Sequence, residues 1–250
     1  HFHGPDAKSI VHYVDARIAP REDCNANFAQ IQPVLREYFD YLYWAWGRSH
    51  PLWVERPQVN LGTESLQELI GAIAYLEHGF NERHVRLSLT AHFIKVPWHW
   101  REEDSYRYNS YRVGLDRYCK ALRDTFDGCP GLERLFKAVD AANDEQYVPP
   151  SVFAPAFRYC REVLQMDNIT FHCGEDFPHL LSGLRVLDDT IRCLHMDCGD
   201  RIGHATALGI DPTYWRRSVP KLLYVWKENR MLDLLFALRV LKNNPSYLSD

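Results

Sequence analysis

The chain has 250 residues, 46% of them hydrophobic, and a formal net charge of -4. This length buries one large core, as a single α/β barrel or as two small domains, and composition alone does not choose between them. The charge balance offers no basic stripe to follow a phosphate backbone, which sets duplex nucleic acid aside as the main partner.

Seven scattered cysteines (24, 119, 129, 160, 173, 193 and 198) contain no CxxC pair, so neither a disulfide framework nor a zinc ribbon is indicated. A reducing, cytoplasmic setting is the default expectation. No apolar run approaches the roughly 20 residues that span a bilayer, and no charged-then-apolar leader precedes a cleavage site. The chain therefore reads as soluble, with no membrane partner.

The first residue is His1, not Met. His1-Phe2-His3 reads as the tip of a strand whose body lies upstream, so the chain is expected to be a piece of a longer protein. Long apolar-periodic stretches then alternate with short β-rich runs, as in βα units. The aromatic-rich segment 38–58 reads either as a substrate lid or interface insertion, or as packed core. A helix is predicted over Glu64 to Glu77, a strand over Val85 to Phe93 and a helix over Tyr106 to Phe126. A strand follows over Phe136 to Ala141, a helix over Ala154 to Gln165 and a strand over Asn168 to His172. The last predicted elements are a helix over Phe177 to His195, a short strand over Asp200 to His204 and a helix over Val219 to Lys242. Each strand ends in polar or ionisable residues.

Four segments carry chemistry. In His1-x-His3 two imidazoles share one face of an extended strand, where both can reach one metal ion; a surface pair is the alternative. In Phe171-His172-Cys173-Gly174-Glu175-Asp176 a strand passes through a polar turn into a helix. A neutral imidazole there can bind zinc, and a carboxylate three residues on can move protons. The plainer alternative is acids at the positive end of a helix dipole. In Gly199-Asp200-Arg201-Ile202-Gly203-His204, glycine permits close backbone approach beside a histidine suited to orienting a water, or simply buried and hydrogen-bonded. In Val139 to Glu145 an apolar run stops at acids and an amide, as a site or as a solvated loop.

In their order, HxH, an aspartate-rich strand end, HxGE and RIGH, these segments resemble the adenosine deaminase family of the amidohydrolase superfamily. The family's HAGE motif reads His172-Cys173-Gly174-Glu175, RIGH reads Arg201 to His204, and DLAGDE reads Asp140 to Glu145. The resemblance implies a TIM-type (β/α)8 barrel of a metal-dependent hydrolase, as a single domain over 1–250, incomplete here because the late strands are missing. It implies one catalytic Zn²⁺ on His1, His3 and His172, and Glu175 as the acid that protonates purine N1 while water attacks carbon 6. His204 would hold the zinc-bound hydroxide, and Asn143, Asp144 and Gly174 would contact substrate. Glu175 must then be protonated when substrate binds, which calls for a desolvated pocket.

Three departures stand out. Asn143 replaces a family glycine, where its side chain can crowd the base pocket. Alanine follows His204 in place of glycine. The late aspartate ligand has no counterpart before Asp250. Among divergent members, HCGEDF and GDRIGHATALGI are similar to the large deaminase subunit of RADAR-type antiphage systems. That likeness implies a homo-oligomer, a partner ATPase and adenine-nucleotide substrates, with Arg86, Lys95, Arg101, Arg107 and Arg112 as candidate phosphate-binding cations. Other readings are a different amidohydrolase reaction, or a catalytically silent barrel serving as a structural subunit.

Overall fold

The alternation of β-rich and helical segments resolves, in a computed structural model, into strands and helices in regular succession. The structure describes residues 11–49, 65–79 and 84–248. In chain order these are β1 (Tyr13–Ile18), α1 (Cys24–Ser49), α2 (Leu66–Gly79), β2 (Arg86–Ile94), α3 (Asn109–Gly128), β3 (Phe136–Ala142) and α4 (Pro150–Glu162). They continue with β4 (Asn168–Cys173), α5 (Leu180–Cys193), β5 (Arg201–His204), α6 (Pro212–Ser218) and α7 (Lys227–Asn243).

The protein is α/β, with a five-stranded sheet in the order β1-β2-β3-β4-β5. The strands are parallel: Tyr13 to Ile18 stand opposite Arg86 to Ala91, and Thr170 to Cys173 opposite Arg201 to His204. Between β2 and β3, the Leu89 N–H donates to the Leu135 carbonyl at 2.7 Å and the Lys95 N–H to the Ala142 carbonyl at 2.9 Å. A parallel neighbour cannot be reached by a tight hairpin, so each crossover carries a helix. This architecture is compatible with part of an α/β barrel.

The chain divides into two compact units. The first contains His1–His92, Val113–Val139 and Tyr159–Asp167; the second contains Phe93–Arg112, Asp140–Arg158 and Asn168–Asp250.

In the first unit, α1 begins where the Asp23 carboxylate accepts the Ala26 N–H at 3.0 Å, an N-cap that satisfies one orphan donor. Ile31, Leu35, Phe39 and Leu42 then recur at three- and four-residue spacing and are buried. They form the stripe by which α1 packs on α2, whose Leu69, Ile73 and Leu76 keep the same period. The Tyr38 hydroxyl donates to Glu77 at 2.6 Å, and burial together with that carboxylate pushes the phenol above its usual range. The beginning of the aromatic-rich segment is thus the C-terminal part of α1; residues 50–58 lie outside the described residues.

In the second unit, Phe93, Phe153, Phe157 and Phe171 form a buried aromatic cluster, with Phe153 and Phe171 ring centres 5.6 Å apart and nearly perpendicular. α5 and α7 are joined through Asp233, which accepts from Arg185 Nε at 2.7 Å and Ser182 Oγ at 2.6 Å. The predicted helix over Val219 to Lys242 is shorter than expected, because Pro220 forces Val219 into extended backbone and helix resumes only at Lys227. α6 starts with Pro212 and is capped by Asp211, which accepts the Tyr214 N–H at 2.7 Å.

Phe39 is 1% exposed and Trp44 is 44% exposed. Phe39→Ala should therefore cost about 3–5 kcal/mol and Trp44→Ala much less, as read from denaturant unfolding. Equal losses would show that the burial pattern of α1 is wrong.

Candidate functional site

In a parallel α/β sheet the carboxyl ends of the strands are where loops gather and ligands bind. Here the second unit holds the ends of β2 to β5: Lys95 just after β2, Asp140 in β3 and Asn143 just after it, His172 at β4 and His204 at β5.

Alternation along β4 sends Cys173 to the other face from His172. The Cys173 thiol lies 3.3 Å from the Thr190 hydroxyl, and burial pushes it up to about 11, as for a thiol packed in the core. His172 sits with Nδ1 3.0 Å from Asp140 Oδ1, and the Asp140 carboxylate is 0% exposed. With the carboxylate accepting at Nδ1, the lone pair is on Nε2 and the ring is fixed in direction. This is how a metal-binding imidazole is usually held. His204 lies beside it, ring centres 5.4 Å apart, and its Nε2 is 3.1 Å from Glu175 Oε2. The four side chains form a continuous row: Asp140, His172, His204, Glu175.

Two glycines make the row sterically accessible. A Cβ at Gly203 would lie 2.4 Å from His172 Cδ2 and 2.9 Å from its Nε2, so the ring rests directly on β5 backbone. The close approach expected at Gly203 is therefore made by the metal-candidate histidine itself. Gly174 turns the chain at φ +77 between His172 and Glu175. Asp200 anchors β5 by accepting the Ile169 N–H at 2.7 Å. His204 and Ala205 follow at φ +65 and +53; the Ala205 N–H donates to the Cys173 carbonyl at 3.0 Å. Alanine where the family pattern has glycine thus occupies left-handed backbone, which costs about 1 kcal/mol.

Behind the row lies a set of buried charges. Lys95, a candidate phosphate-binding cation in sequence, is instead 0% exposed. Its Nζ donates to the His172 carbonyl and, at 3.4 Å, to the Asn143 carbonyl, and sits 4.3 Å from the Phe171 ring centre. Burial pulls the ammonium below its usual range, opposed by Cys173, Glu145, Asp140 and Glu175. Glu145 is also buried and accepts the Gly174 N–H at Oε2. Burial pushes its carboxyl above the usual range. Asn143, at φ +85, donates from its amide to the Lys95 carbonyl at 2.8 Å. That bond gives the Asn143 side chain a partner on the β2 strand end. Asp144 accepts the Gln146 N–H at 2.8 Å.

Arg86 starts β2 and so stands at its amino end, away from the strand's carboxyl terminus. Arg101 pairs with Glu103 at 3.9 Å. Arg107, paired with Glu228, and Arg112 both line a cavity of about 470 Å³ in the second unit, together with Glu145, Asp176, Phe177 and Arg185. Asp176 lines it, but Glu175 does not.

His1 and His3 lie outside the described residues. Among the described residues no group of three or more His, Cys, Asp or Glu side chains is placed to hold a metal ion. What these residues provide toward zinc is one imidazole oriented by a buried carboxylate, which suits the chemistry of a ligand; a full set would require His1 and His3. Glu175 is 27% exposed and His204 49% exposed, so the burial expected around a proton-donating acid is incomplete without a covering group.

In the sequence, Asp140 and Glu145 read only as members of an acidic strand end. The missed signal is position: ionisable residues closing successive strands converge in a parallel sheet. No protein-family model matches the chain, and no curated protein matches it.

The contact at Gly203 gives a direct test. Gly203→Ala should displace the His172 ring from Asp140 and cost about 1–3 kcal/mol, with the ring shift visible in the histidine ¹⁵N spectrum. An unchanged His172 spectrum in a folded variant would show that the ring does not lie on β5.

Proposed function

We propose that the chain belongs to a zinc-dependent deaminase of the adenosine deaminase type. Its reaction is hydrolysis of the adenine amino group of adenosine, deoxyadenosine or an adenine nucleotide, giving the inosine form and ammonia. The observation that carries this reading is the row Asp140, His172, His204, Glu175, with contacts of 3.0 Å and 3.1 Å at its two ends and the imidazole rings 5.4 Å apart between them.

An aromatic amine leaves poorly from its ring, so the ring nitrogen needs a proton while water adds at carbon 6. Glu175 supplies that proton to N1 from the turn after β4. His204, whose Nε2 lies 3.1 Å from Glu175 Oε2, orients the water and takes up its proton. His172 would hold zinc through Nε2, with His1 and His3 completing the set. When bound, zinc would make water nucleophilic at neutral pH by lowering its pKa. A purine over Glu175 would also cover the exposed part of the acid, in the desolvation that keeps a carboxyl protonated.

The nucleotide form of the reading is supported by Arg107 and Arg112 on the neighbouring cavity. A RADAR-like role in antiviral defence, as a homo-oligomer with a partner ATPase, extends the same reading. The alternative reading is a silent barrel in a structural subunit. Zinc content separates the two.

The full-length protein, incubated with adenine, adenosine, deoxyadenosine, AMP and ATP, should shift the absorbance of at least one toward the hypoxanthine form. Glu175→Gln should keep zinc and fold while lowering turnover by about 10²–10⁴. His172→Ala should lose both metal and activity. Unchanged turnover in Glu175→Gln rules out its role as acid, and zinc retained by His172→Ala rules out the ligand.

A further inference from the structure

The buried charges behind the row are not used by the chemistry just described, yet they touch its backbone at both sides. We propose that Lys95 and Glu145 are positioning residues that clamp the His172-to-Glu175 turn, fixing the metal-candidate imidazole and the proton donor relative to one another. This rests on the deaminase reading for its consequence, though not for its geometry.

The geometry is a grip on opposite polarities of one short turn. On the acceptor side, the Lys95 ammonium holds the His172 carbonyl and reaches the Asn143 carbonyl at 3.4 Å. On the donor side, the Glu145 carboxylate holds the N–H of Gly174 through Oε2. Lys95 is itself fixed: its N–H donates to the Ala142 carbonyl at 2.9 Å, and its carbonyl accepts the Asn143 amide at 2.8 Å. One ammonium therefore ties together the ends of β2, β3 and β4. The Gly174 carbonyl is held separately, accepting from the Ala207 N–H at 2.9 Å and the Thr206 hydroxyl at 2.6 Å. The clamp adds to these a hold on the Gly174 N–H and the His172 carbonyl, where Gly174 at φ +77 sets the direction of Glu175.

An apolar side chain of similar length would fill the Lys95 position without the cost of desolvating an ammonium. A buried cation bound to backbone carbonyls at this place thus acts on the orientation of the turn more than on the stability of the core. It is the same part that groups behind a metal ligand play elsewhere, where their loss typically weakens metal affinity or activity by about 10–100-fold.

The test uses full-length Lys95→Met, Glu145→Gln and Glu145→Ala, with His172→Ala as control. Zinc affinity is measured by competition with a chromophoric chelator, kcat and KM on the best adenine substrate, folding by thermal melting, and the His172 ring by ¹⁵N-histidine spectra. Lys95→Met should weaken zinc about 10–100-fold, lower kcat more than it raises KM, and shift the His172 ring signals. Glu145→Gln, which keeps an acceptor oxygen, should lose less than Glu145→Ala. Folded Lys95→Met with wild-type zinc affinity, kcat and His172 signals overturns the proposal. Should that variant not fold, Glu145→Ala with wild-type kcat and zinc affinity overturns it equally. If His172→Ala keeps its zinc, the deaminase reading fails instead. The clamp is then judged on the ring signals alone, which must move in Lys95→Met or Glu145→Ala for it to stand.

Discussion

The ring of His172 and the backbone of β5 share space only because residue 203 has no side chain. A Cβ there would fall 2.4 Å from the ring, well inside van der Waals contact. From this one vacancy the rest of the site follows. The ring lies flat enough against β5 to meet Asp140 on one side, and β5 comes close enough to place His204 at its flank. The pairing of Thr170 to Cys173 with Arg201 to His204 then fixes the register, so that His172 stands opposite Gly203. A slip by one residue would bring a full side chain against the ring.

Around this contact the molecule concentrates charge where solvent is scarce. Asp140 and Lys95 are buried outright, and Glu145 nearly so. Each has a partner of opposite polarity in the backbone or an adjacent ring: Asp140 the His172 imidazole, Lys95 two strand-end carbonyls, and Glu145 the Gly174 N–H. Burial shifts Lys95 and Glu145 in opposite senses, each toward its neutral form, while their mutual attraction acts against both shifts. Ions in this setting are tolerated only with such partners, because the interior offers no water to replace them.

Much of the sheet was legible in the sequence. Short β-rich runs bounded by polar residues read as strands, and β2 to β5 begin and end within a residue or so of where that pattern puts them. Helices declared by apolar spacing, α2 to α5, were equally readable, with ends blurred by proline and capping. β1, only six residues with every second position polar, escaped notice. α1 was hidden by Pro33 inside it and by aromatics that suggested a separate insertion. The histidines and Glu175 were visible as motifs, since a strand followed by a polar turn marks the carboxyl end of a parallel strand. Lys95 was misplaced because a lysine in sequence is read as solvated. Only the three-dimensional meeting of strand ends shows that its ammonium has carbonyl partners inside.

α7 exposes Met231, Leu234, Leu235 and Leu238, while Asp233 is its one buried residue among those described. Two polar contacts tie it to α5: Asp233 with Arg185 and Ser182, and Arg239 with Asp188. An apolar seam loosens by degrees, as methyl groups separate one at a time. A two-point ionic latch either holds or opens. Amide hydrogens of α7 should accordingly exchange with solvent together, through release of the intact helix, at a lower free energy than those of the strands beneath.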